Sequence, residues 1–313
     1  MTTPDRPILR IHAGTHKTGT STLQAVMKAK SDLADPGFLY PVTGRMAAWP
    51  LAHHDLIRSL SAGNLSVLDQ LRAEVEESRF RIGVISCEDF SLPSSFFAIN
   101  LLIDQLPDVD IELHTAFRPY MSFAQSYYLE QVKRDVTQWK PYEFVRETIN
   151  SYRYSTIVNF FESTGLRTFY YEYSAPNFMT QIYRALTGLD LDSQSAGQYH
   201  NRAYSYEMTM LLRSVYRQHQ GKVFDIDNIL HAAWELEQHL GFIDSKRSLM
   251  RHAEAVALND FLSDERALMR ARFGDMADSL YPQIEAYDDS DVLDPDDNFA
   301  QRLIDGYFAR FMQ

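Results

Sequence analysis

Residues 8–24 read ILRIHAGTHKTGTSTLQ. The stretch starts as a β-rich run, passes through a loop of glycine and threonine, and ends in helical spacing. Residues 7–13 read as a strand. Residues 20–33 carry Leu23, Val26, Met27 and Leu33 at helical intervals. A strand–loop–helix passage of this kind turns backbone N–H groups toward a ligand, and the helix dipole adds partial positive charge at the same point. It suits a phosphate.

Working outward, the first half of the chain alternates short β-rich runs with helical patterns. Further strands are expected at 37–40, 81–86, 110–117 and 166–171, and helices at 47–61 and 65–78. Pro119 is placed to open a helix. Tyr120, Phe123, Ala124, Tyr127 and Tyr128 then fall at i, i+3, i+4, i+7 and i+8, the stripe of a buried helix face. Strands alternating with helices imply right-handed crossovers and a parallel sheet. From about residue 204 the pattern is helical, with long periodic runs at 203–218, 229–240 and 249–272 and no strand. An acidic segment at 286–298 reads as a loop before a last short helix at 299–311. Its aspartates lack the glycine of a calcium-binding loop. The expected layout is an α/β core over 1–202, a parallel sheet flanked by helices, with a helical C-terminal portion over 203–313 packed beside it.

Composition narrows the function classes. The chain has 313 residues, ample for a full core, with 45% apolar and 23% charged side chains. The formal net charge of -12 argues against nucleic acid as the main partner, yet leaves room for a small anion in a local positive pocket. The single cysteine, Cys87, excludes an internal disulfide and a cysteine-rich zinc site. No apolar run reaches the length of a membrane span, and the N-terminus has no signal-peptide core. A reduced, cytoplasmic, soluble protein is expected.

The loop differs from the nucleoside-triphosphate pattern G-x-x-x-x-G-K-[ST]. Gly14, Gly19 and Ser21 keep its spacing, but Thr20 stands where the lysine belongs, and the lysine of this loop is Lys17. The run His16-Lys17-Thr18-Gly19-Thr20-Ser21 resembles the 5'-phosphosulfate loop of sulfotransferases that use 3'-phosphoadenosine 5'-phosphosulfate (PAPS), and is close to soluble bacterial members. That family binds the 3'-phosphate with an arginine ending a strand and a serine eight residues later. Arg118 and Ser126 stand at that spacing. The resemblance covers residues 7–202, with firm motifs at the loop and at the arginine–serine pair. It implies a P-loop-kinase-like sheet, PAPS as co-substrate with PAP (3'-phosphoadenosine 5'-phosphate) as product, no metal, and a small-molecule or glycan acceptor.

Under that resemblance His16, Lys17, Thr18, Gly19, Thr20 and Ser21 hold the donor, and Lys17 also stabilises the leaving oxygen. Residues 169–172, Phe-Tyr-Tyr-Glu, resemble the family's ending of the fifth strand. Arg202, in His200-Asn201-Arg202, stands where the family closes a basic lid, but the usual Arg-Lys-Gly is absent. The general base is open between Glu88, which follows the third strand, and His54, beside His53. A histidine works near neutral pH without tuning; a glutamate needs burial to raise its pKa. Two rival functions remain open: a P-loop ATP-dependent kinase, and a catalytically inactive nucleotide-fold binding module.

Overall fold

The computed structural model describes residues 6–47, 50–134, 136–191, 205–218, 226–240 and 249–287. The chain forms two compact units, Met1–Pro119 with Tyr154–Asn201, and Tyr120–Arg153 with Arg202–Gln313. Residues 120–153 fall in the unit that holds the C-terminal helices.

Thirteen helices lie among the described residues: α1 (Thr20–Ser31), α2 (His54–Ser61), α3 (Ser66–Glu76), α4 (Phe96–Gln105), α5 (Tyr120–Lys133), α6 (Pro141–Glu147), α7 (Tyr154–Ser163), α8 (Phe178–Thr187), α9 (Tyr206–Gln218), α10 (Ile226–Leu240), α11 (His252–Phe261), α12 (Ser263–Phe273) and α13 (Asp275–Leu280). None of these is long and apolar enough to cross a membrane. The expected acidic loop lies, beyond residue 287, outside the described residues, and the expected last helix lies wholly outside them.

The first unit is α/β. Four parallel strands, β1 (Ile8–His12), β2 (Ile82–Ser86), β3 (Asp110–Phe117) and β4 (Arg167–Glu172), stand in the order β2-β1-β3-β4. The strand expected at 37–40 is reduced to one parallel bridge, Leu39 to Gly83. The Leu39 N–H donates to the Ile82 carbonyl and the Val84 N–H donates to the Leu39 carbonyl, both at 2.8 Å. Gly37 turns the chain at φ 82°, and Pro41 brings no N–H, so the run has no length to pair further.

Alternate strand residues share a face. Val84 and Ala116 pack with Leu23, Val26 and Met27 of α1 and with Phe178, Ile182 and Leu186 of α8. The register then puts Arg10, His12, Ser86, Glu112 and His114 on that same face. It is a polar row under apolar helices, and it is held by pairing. Glu112 takes Arg10 Nε at 2.8 Å and Arg167 Nη2 at 2.6 Å. His114 Nδ1 meets the Tyr171 hydroxyl at 2.9 Å.

The second unit is helical among its described residues. In α5, Tyr120, Phe123, Ala124 and Tyr128 are buried as the stripe requires; Tyr127 is half-buried against Phe123 and Phe144. Tyr120 stacks on Tyr281, whose hydroxyl donates to the Tyr152 carbonyl at 2.6 Å. Met208, Leu211, Leu212 and Tyr216 of α9 form a cluster with Ala233 of α10. The single helix expected at 249–272 is broken at Leu262, whose N–H bonds back to Leu258 and Asn259.

Candidate functional site

The connections of the sheet diverge at β1 and β3. The chain leaves β1 toward the Leu39 side and leaves β3 toward β4. In open parallel sheets the ligand crevice lies outside the carboxyl ends of the strands at such a point. The 13–19 loop and Arg118 stand there.

The loop is built tightly. Ala13 N–H donates to the His114 carbonyl at 2.8 Å, and the Thr15 hydroxyl to the Ala116 carbonyl at 2.9 Å, so the loop starts pinned to β3. Gly14 passes over the His12 ring. A Cβ there would sit 2.7 Å from His12 Nε2, so only glycine fits without a shift. Two residues take left-handed backbone, Lys17 at φ 67° and Gly19 at φ 72°. Glycine does so without strain; for lysine the cost is about 1–2 kcal/mol. Gly19 is the N-cap of α1 and offers no side chain to it. The first N–H groups of a helix have no partner within the helix, so Thr20 and Ser21 present donors at the loop's end. The Thr18 hydroxyl donates to the Thr15 carbonyl at 2.6 Å and the residue is buried. Its hydroxyl proton therefore closes the loop.

Arg118 braces this loop from the next strand. Its Nη1 donates to the Lys17 carbonyl at 2.7 Å. Its guanidinium lies 5.1 Å from the centre of the Tyr173 ring, a cation–π contact. Tyr173 follows β4 and also flanks Gly19. The Tyr154 hydroxyl donates to the Arg118 carbonyl at 2.6 Å, and fixes the backbone of the arginine. Three strand ends thus converge on one loop.

The end of β2 supplies the acidic side. Glu88 opens a 3-10 turn, Glu88–Ser91. Gln24 Nε2, from α1, donates to Glu88 Oε2 at 3.1 Å and to Ser86 Oγ at 3.2 Å. Ser86 Oγ meets His12 Nδ1 at 2.8 Å. Burial first, and His114 second, push His12 down to about 3, so its ring is neutral. The two adjacent histidines have different fates. His53 is fully buried; its Nδ1 accepts from the Ser86 N–H at 3.1 Å and its Nε2 faces the Pro41 carbonyl at 3.0 Å. Burial holds it near 3, and it is a structural residue. His54 is partly exposed. Its Nδ1 lies 3.0 Å from Asp89 Oδ2 and 3.1 Å from Cys87 Sγ. The Asp89 hydrogen bond raises its pKa above the usual histidine value, against the opposing pull of burial. Asp89 is lowered by the same bond. His16 Nε2 stands 3.9 Å from the other oxygen, Asp89 Oδ1.

The fold therefore brings His16, Lys17, Thr18, Gly19, Thr20, Ser21, Glu88, His54 and Arg118 to the carboxyl end of one sheet. Ser126 lies on α5, in the second unit. Arg202 lies outside the described residues. Gln24, Asp89 and Tyr173 were not singled out in the sequence. Gln24 sits in the first turns of the helix after the loop, and Asp89 directly follows Glu88, so both were within reach; Tyr173 carries no local signal.

No protein-family model, no curated protein and no solved structure matches this chain.

Proposed function

We propose that the chain is a PAPS-dependent sulfotransferase, a cytoplasmic enzyme that moves a sulfuryl group to a hydroxyl or amine of a carbohydrate, lipid or small alcohol. The observation that carries this reading is the brace between Arg118, at the end of β3, and the carbonyl of Lys17 in the loop after β1. It joins the loop to the arginine of the second motif within one unit. The strand order, with the loop after a strand inside the sheet, supports a P-loop-kinase-like core as the finer description.

In the reaction, the bond between sulfur and the bridging oxygen of the donor 5'-phosphate breaks, and a new bond forms from sulfur to the acceptor oxygen or nitrogen. Lys17 carries positive charge to the leaving oxygen, where negative charge develops. The N–H groups of Thr18 to Ser21 and the hydroxyls of Thr20 and Ser21 hold the 5'-phosphate at the α1 N-terminus. Arg118 takes the 3'-phosphate as a charged fork. Glu88 removes the acceptor proton, its carboxylate oriented by Gln24. His54 is the second candidate for that proton. The transfer itself draws on no metal.

Binding of PAP tests the reading. Titration calorimetry should show a saturable PAP site that Arg118→Ala weakens at least tenfold. ATP with magnesium binding in its place would favour the kinase reading. No binding of either would favour a binding module.

A further inference from the structure

His54, Cys87 and Asp89 put an imidazole nitrogen, a sulfur and a carboxylate oxygen within 4.8 Å of one another. Their sequence positions show no metal-ligand spacing, because His54 and Cys87 are 33 residues apart. The fold supplies the proximity. His54 is the first residue of α2, Cys87 follows β2, and Asp89 lies in the 3-10 turn after it. We propose that these three side chains bind one divalent transition metal of the zinc class.

The donor set is specific. Thiolate and imidazole select zinc-like ions over magnesium or calcium, which prefer oxygen ligands alone. One thiolate and one carboxylate together match the double charge of the ion. The spacing is close to what such an ion needs. A tetrahedral zinc, with bonds of about 2.0–2.3 Å, separates its ligand atoms by about 3.3–3.6 Å. The distances from His54 Nδ1, 3.0 Å to Asp89 and 3.1 Å to Cys87, are hydrogen-bond distances. Replacing the bridging protons with the ion moves each donor outward by a few tenths of an ångström.

The backbone is already arranged for this. His53 N–H bonds to Ser86 O at 2.9 Å, Cys87 N–H to His12 O at 3.1 Å, and Leu92 N–H to Asp89 O at 3.0 Å. These hold the three ligand-bearing segments in place. Cys87 is fully buried, whereas His54 and Asp89 have 22% and 30% of their side-chain surface exposed, so the ion enters past those two and reaches the sulfur last. His16 Nε2 stands 3.9 Å from the second oxygen of Asp89. Three protein ligands leave a fourth coordination position for water. With the metal on Nδ1, His54 keeps its proton on Nε2 and cannot act as a base, which leaves that role to Glu88. The site stands whether or not the loop takes PAPS.

The test uses the untagged full chain, stripped with a chelator and titrated with cobalt(II) as a spectroscopic stand-in for zinc. One equivalent should bind, with a sulfur-to-metal charge-transfer band in the near ultraviolet that zinc displaces. Cys87→Ser should abolish the band and weaken binding by about 100-fold or more, beyond the 10–100-fold of an outer contact. Asp89→Asn, a near-isosteric change at a partly exposed site, should weaken binding at least tenfold, with circular dichroism unchanged. It serves if Cys87→Ser does not fold. No saturable band in the wild type, a band that survives Cys87→Ser, or unchanged affinity in Asp89→Asn would each overturn the proposal.

Discussion

Arg118 Nη1 donates a hydrogen bond to the Lys17 carbonyl at 2.7 Å, across 101 residues of chain. Lys17 is one of two non-glycine residues with positive φ among the described residues. The arginine thus holds the strained point of the loop, while the Tyr173 ring and the Tyr154 hydroxyl hold the arginine. Strain of this kind persists only where surrounding contacts over-determine it, and such places cluster at functional sites.

The lysine side chain and its backbone conformation can be separated. Lys17→Ala and Lys17→Gly should each cut turnover by about 10²-fold, the order for one transition-state donor. Their stabilities should differ. Glycine relieves the left-handed strain, so Lys17→Gly should be more stable than Lys17→Ala by about 1 kcal/mol. Steady-state kinetics and urea denaturation read the two effects. Turnover within about threefold of wild type in both variants would remove Lys17 from the chemistry.

Tyr173 should matter through its ring. Tyr173→Phe keeps the cation–π contact with Arg118, and Tyr173→Leu loses it. An exposed contact of this type contributes about 0.5–1 kcal/mol. PAP affinity should therefore be unchanged in the phenylalanine variant and about two- to fivefold weaker in the leucine variant. Equal loss in both would point to the hydroxyl instead.

The His54–Asp89 pair sets a pH window in the metal-free protein. His54 is raised and Asp89 is lowered, each chiefly by the bond between them. A raised histidine contributes stability below its unfolded pKa of about 6.5 and loses it as pH rises through the folded value. A lowered carboxylate contributes above its unfolded pKa of about 3.9 and loses it as pH falls through the folded value. The stability difference between wild type and Asp89→Asn should thus peak near pH 5–6 and shrink on either side. Proton NMR of His54 should titrate above 6.5 in the wild type and lower in Asp89→Asn.

Glu112 governs the acid limb. His114, at 3.6 Å, and the Arg10 guanidinium hold its carboxyl down to about 2. Its contribution to stability is complete above the unfolded value near 4.5 and is lost as pH falls toward 2. Wild type should lose up to about 1.4 kcal/mol per pH unit more than Glu112→Gln across that interval, the slope of one linked proton. Parallel curves from acid denaturation would contradict this.

The loop and the four strands were legible because each is a local signal, a glycine-rich turn or a β-rich run between turn residues. The Arg118 position at the end of β3 followed from the same reading. Residues 37–40 were read as a strand on composition, but Gly37 and Pro41 confine them to one bridge. The continuous helix expected at 249–272 hid a break at Leu262, where no glycine or proline marks it. The place of α5 in the second unit could not be read, since its apolar stripe says that it is buried and not against what. The cluster of His54, Cys87 and Asp89 was illegible for a related reason. Its members are joined by a parallel crossover, and only the folded sheet brings α2 beside the end of β2.

The most direct measurement is calorimetric titration of the wild-type chain with PAP, with ATP plus magnesium as the comparison and Arg118→Ala as the control. The sulfotransferase reading requires one saturable PAP site, little or no binding of ATP, and a loss of at least tenfold in the variant. Tight binding of ATP without PAP, or PAP affinity untouched by Arg118→Ala, would contradict it.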